Sequence, residues 1–137
     1  MNPILRNILA VIAGIIAGSI INGGLVFVSN LIVPLPEGVN PMDIESIKAA
    51  IPNYEAKHWI MPFLAHALGT LVGAFTAAKL AVSNYRTLAF VIGGVFLLGG
   101  IKMAIDLPSP MGFEIFDIVC AYFPMAWLGW KLSGKPQ

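Results

Sequence analysis

Between His58 and Lys79 the chain carries no charged residue. From Trp59 to Val82, small residues recur at every fourth position: Ala65, Gly69, Gly73, Ala77 and Ala81. At roughly 100° per residue, that spacing draws one nearly straight stripe along a helix. The other faces hold Phe63, Leu64, Leu68, Leu71, Val72 and Phe75. A helix that is apolar all round offers no side to water, and a small-residue groove lets a second backbone come close. The stretch therefore predicts a lipid-embedded helix packed tightly on a neighbour.

Three further apolar segments accompany it, so that the spans cover residues 4–33, 59–82, 87–105 and 113–132. Each can cross about 30 Å of hydrocarbon at about 1.5 Å per residue. The charged fraction of 11% is well below the roughly 25% of soluble domains. The expected fold class is all-α: a polytopic membrane protein whose residues 1–137 form one four-helix transmembrane bundle. The first segment begins like a signal peptide, with Arg6 followed by an apolar run. It continues to Val33, past the roughly 7–15 residues of a signal core, and so reads as a retained span. A net charge of +1 gives no reason to expect nucleic acid as a partner. The one cysteine, Cys120, excludes an intrachain disulfide and reads as a small buried residue.

The first span repeats the small-residue stripe at Ala10, Gly14 and Gly18, continuing to Asn22. If the first two spans run antiparallel, Gly14 faces Gly73, Gly18 faces Gly69, and Asn22 approaches Ala65 and His66. Gly93 and Gly100, with Ala104, give the third span a face for close approach. Pro124 predicts a kink in the fourth. Residues 34–58 form the one sizeable loop. Pro34 and Pro36 end the first helix. Asn40, Pro41 and Asp43 read as an N-cap, a first-turn proline and a dipole-favoured acid, opening a short external amphipathic helix over residues 41–50.

The charges sort by side. The termini and the 83–86 turn carry Arg6, Lys79, Arg86, Lys131 and Lys135 and no acid. All the acids lie toward the other side, Glu37, Asp43, Glu45, Glu55, Asp106, Glu114 and Asp117, together with Lys48, Lys57 and Lys102. The excess of lysine and arginine predicts cytoplasmic termini and external 34–58 and 106–112 connections.

Polar residues at a similar depth in each span point to a shared pocket in the outer half of the bundle. The candidates are Asn22, His66, Thr70, Lys102, Asp106, Glu114 and Asp117. Ionisable groups at such depth are costly unless paired or solvated, which makes them functional candidates. The plainer expectation is structural: Lys102 pairs with Asp117 between helices, and His66 bonds Asn22 or Thr70. No metal is expected, because His58 and His66 are eight positions apart and no HxxxH or HExxH spacing occurs. No cofactor is expected either. A second intramembrane histidine for haem is missing, and the glycine pairs lie inside apolar spans, where they cannot cradle phosphate. No serine sits in a nucleophile motif.

One region supports a resemblance. A glycine pair at Gly99–Gly100 leads to a Pro108-x-Pro110 turn, an acidic helix, and Tyr122-x-Pro124-x-Ala126-Trp127-Leu128-Gly129. Together with His66-Ala67-Leu68-Gly69-Thr70, this resembles small four-span integral membrane proteins of bacterial genomes that have no known activity. The resemblance implies the fold and an inner-membrane location, and no reaction, ligand or catalytic residue. The expected function is a non-enzymatic accessory or self-associating bundle. Its partners are the lipid bilayer and a homo-oligomer or a partner membrane subunit. One alternative is a small transporter or channel, working as an oligomer. A second is an enzyme acting on a lipid or quinone, with His66 as acid/base and Asp117 orienting it.

Overall fold

A computed structural model describes all residues, Met1–Gln137. The chain is helical throughout, with no strand. The helices are α1 (Pro3–Ile32), α2 (Ile44–Ala50), α3 (Ile60–Leu80), α4 (Tyr85–Asp106), α5 (Met111–Cys120) and α6 (Phe123–Leu132). A 3₁₀ turn at Ala56–Trp59 leads straight into α3. Four helical stretches are long and apolar enough to cross a membrane: Pro3–Ile32, Ala56–Leu80, Tyr85–Asp106 and Met111–Leu132.

Local chemistry sets the boundaries. The Asn2 side chain accepts from the Ile4 amide at 2.8 Å, and Pro3 opens α1, where a missing N–H costs nothing. The short helix of the 34–58 connection begins later than expected. Asn40 is not its cap: the Asn40 side chain accepts from Met42 N–H at 3.0 Å and closes a separate turn around Pro41. Asp43 takes the capping role instead, accepting from Glu45 N–H at 3.1 Å, so α2 starts at Ile44. The loop is tied by His58, whose Nδ1 accepts from Glu55 N–H at 2.9 Å while Nε2 donates to the Pro34 carbonyl at 3.2 Å.

The fourth segment is broken, not merely kinked. A proline ring clashes with the carbonyl four residues back and donates no hydrogen bond to it. For Pro124 that carbonyl belongs to Cys120, where α5 ends. Ala121 and Tyr122 form the joint, with Tyr122 at φ −115°, ψ −80°, and Pro124 falls in the first turn of α6.

The central helix is α3, which packs against α1, α4 and α6. Its approach to α1 is backbone on backbone. A Cβ placed on Gly14 would lie 2.6 Å from the Gly73 carbonyl oxygen, and one on Gly18 would lie 2.6 Å from that of Gly69. Gly93 sits against Ala126 of α6. Gly129 of α6, not among the expected packing glycines, presses on α3 at the Leu71 carbonyl. A lone glycine in an apolar run gives no stripe to read.

The result is inside-out. The main core is Ala74, Ala77, Ala78, Ala89, Ile92, Ala126 and Trp130. Large side chains such as Ile12, Ile16, Ile20, Phe27, Leu98 and Ile115 point outward. Small residues inside and large apolar ones outside is the arrangement that close helix contact in lipid favours.

Candidate functional site

One buried polar cluster stands where α3, α5 and α6 converge. Asp117, in the last turns of α5, is buried. Its carboxylate lies 2.9 and 3.0 Å from His66 Nδ1 of α3. The Tyr122 hydroxyl donates to the same carboxylate at 2.8 Å. The joint at residues 121–122 makes this possible, because it turns the Tyr122 ring inward instead of continuing α5. Gly100 of α4 makes room for it: a Cβ there would overlap the Tyr122 hydroxyl. The His66 and Tyr122 rings stack with centroids 5.9 Å apart.

The hydrogen-bond roles follow from chemistry. An ionised carboxylate only accepts. Tyr122 therefore donates, and His66 holds a proton on Nδ1 to donate as well. That leaves His66 Nε2 without a partner in the chain. In a neutral imidazole it is an acceptor; in an imidazolium it is a donor.

His66 borders two cavities. The first, about 170 Å³, lies beneath the end of the 34–58 loop. Tyr54, Trp59 and Phe113 form its aromatic wall, and Glu114, Asp117 and His66 its polar edge. Burial pushes the Tyr54 phenol above its ordinary pKa. The second cavity, about 330 Å³, is a cleft between α1 and α4. Ile15, Ser19, Asn22 and Gly23 line one side, Val95, Phe96, Gly99 and Met103 the other, with His66 behind. His66, Gly100 and Met103 border both cavities. Toward the termini the bundle is closed by its alanine-rich core.

The other sequence candidates divide. Asn22 faces the cleft. Glu114 edges the smaller cavity but is held by Ser109, accepting from its amide at 3.2 Å and its hydroxyl at 3.0 Å. Thr70 donates to the His66 carbonyl at 2.8 Å, a bond within α3. The Lys102–Asp117 pair is not formed. Lys102 is largely exposed and bonds Asp106 one turn along α4, while Asp117 is occupied by His66 and Tyr122. Lys102 and Asp106 border neither cavity. Gly69, Gly73, Gly14 and Gly18 serve the α1–α3 contact, and Gly93 and Gly100 receive α6 and Tyr122. Tyr122 was missed as a site residue. Its only signal was a hydrogen-bonding side chain five residues after Asp117, next to a proline break. No three His, Cys, Asp or Glu side chains converge as a metal centre needs. Comparison with protein-family models, curated proteins and solved structures finds no match.

Proposed function

We propose that the chain is a multi-pass protein of a cell inner membrane, with both termini cytoplasmic, and that it binds a small molecule in its outer half without turning it over. The membrane reading is supported by the inside-out packing and by the one-sided distribution of Arg6, Lys79, Arg86, Lys131 and Lys135. The binding reading rests on one observation above all: His66, fixed by Asp117 and Tyr122, offers an unpaired ring nitrogen where two cavities meet. A low-dielectric site holding a few oriented polar groups in an apolar lining is what a small-ligand pocket needs.

The glycine stripes serve contacts within one chain, so they give no argument for an oligomer. The closed core toward the termini offers a single chain no through-path, so transport would need an oligomer or a second conformation. Native mass spectrometry of protein gently extracted from its own membrane tests the proposal. Wild type should retain a non-protein mass that is lost from His66→Ala and Asp117→Asn variants still folded by circular dichroism. A bare wild type, or an adduct indifferent to both substitutions, would count against the pocket. A stoichiometric foreign subunit would favour the accessory role.

The His66–Asp117 contact favours a second reading, an acid/base enzyme acting on a membrane-resident substrate. It expects turnover of a lipid or quinone with a pH profile set by one histidine. Turnover that survives His66→Ala would sink it.

A further inference from the structure

Building on the pocket reading, we infer that the ligand is a single-chain amphiphile with a neutral, hydrogen-bond-donating head, an alcohol or phenol, that enters sideways from the outer leaflet through the cleft between α1 and α4. Three observations carry this.

First, the cleft opens at the side of the bundle. Ser19, Gly23, Gly99 and Met103 at its rim are exposed, and α1 and α4 touch each other only sparsely. Under the membrane reading this opening faces acyl chains, not water. Gly23 and Gly99 have open space beside them, with no atom within 4 Å of where a Cβ would stand, so neither glycine is needed for packing. The room is therefore left free for an occupant.

Second, most of the lining surface is apolar, with Ser19 at the rim and Asn22 and His66 supplying the other polar side chains. His66 Nε2 has no partner in the chain, and the half-buried Asn22 amide faces the same cleft. One polar end on an apolar channel matches one polar head on an apolar chain. At about 330 Å³ the cleft is within the range of roughly 300–1,000 Å³ typical of small-ligand sites.

Third, the charges choose the head. Neither cavity is bordered by a lysine or arginine, while Asp117 and Glu114 border the smaller one. A carboxylate or phosphate head would meet no counter-charge other than His66, which Asp117 already engages. A hydroxyl can donate to neutral Nε2 and accept from the Asn22 amide without adding charge.

The test titrates full-length protein in detergent micelles with three probes, 4-dodecylphenol, dodecanoic acid and phenol, and counts adducts by native mass spectrometry. Wild type should bind one dodecylphenol at least about tenfold more tightly than either other probe. Gly99→Leu, which fills the cleft, should weaken dodecylphenol by about tenfold and leave phenol unchanged. Gly23→Leu on the opposite wall should do the same, and guards against misfolding of the first variant. Dodecanoic acid binding as well as the phenol would overturn the choice of head. Phenol binding as tightly as dodecylphenol, or dodecylphenol indifferent to both leucines, would overturn the lateral route while leaving the pocket standing. If wild type binds neither phenol, the pocket reading falls and this inference falls with it.

Discussion

Asp117 holds the site together at the level of single residues. It is buried and takes two hydrogen bonds, from His66 and Tyr122. Removing one partner leaves the others desolvated and unpaired, which costs about 1–3 kcal/mol. Tyr122→Phe should therefore lower stability by about 1–2 kcal/mol and leave His66 as the carboxylate's one remaining side-chain partner. Asp117→Leu should cost more, because it strands both the His66 Nδ1–H and the Tyr122 hydroxyl. Thermal unfolding in detergent measures both, and equal stability of all three proteins would mean the cluster is not formed. Lys102→Gln should change little, since its only partner is Asp106 on the exposed side of α4. His66 and Asp117 could each be picked out in the sequence, as ionisable groups inside apolar spans. Their pairing could not, because depth along a span says nothing about azimuth around it. Lys102 shared the depth of Asp117 but points elsewhere.

At the scale of the elements, glycine position separates contact from filler. Gly14→Val would drive a side chain into the Gly73 carbonyl and Ala77, and should detach α1 from α3 or destabilise the bundle by about 3 kcal/mol or more. Gly24→Ala has open space and should stabilise α1 by about 0.5–1 kcal/mol. A protease-protection and thermal-shift comparison of the two variants checks the pairing of stripes. The α1–α3 match was legible because both stripes have the same four-residue period, and only the antiparallel register brings them together. The break in the fourth segment was legible only in part. Pro124 announces a disturbance, but its clash acts four residues back, so the joint falls at Ala121–Tyr122 and redirects the tyrosine. α2 starts later than the sequence predicts because Asn40 and Asp43 are both good caps, and the short turn around Pro41 claims the first of them.

For the whole molecule, the charge distribution is what the proposed orientation rests on. Arg86 lies over the Trp130 ring at 5.5 Å and Lys131 over it at 4.5 Å, clustering cations and aromatics at the end that holds the termini. In a Cys120→Ser background, Glu37→Cys should react with a membrane-impermeant maleimide in intact cells, and Lys135→Cys only after permeabilisation. The reverse pattern would invert the topology and place the pocket on the cytoplasmic side. The pocket itself depends on a proton: Nδ1–H of His66 must point at Asp117 for Nε2 to face the cavities as an acceptor. Nitrogen-15 NMR of histidine-labelled protein in bilayers reads this directly, with His58→Gln removing the other histidine signal. In its neutral form His66 should show a protonated Nδ1 and a bare Nε2, and Asp117→Asn should disturb that preference. A neutral His66 protonated on Nε2, with a bare Nδ1, would contradict the arrangement on which the proposed binding site rests.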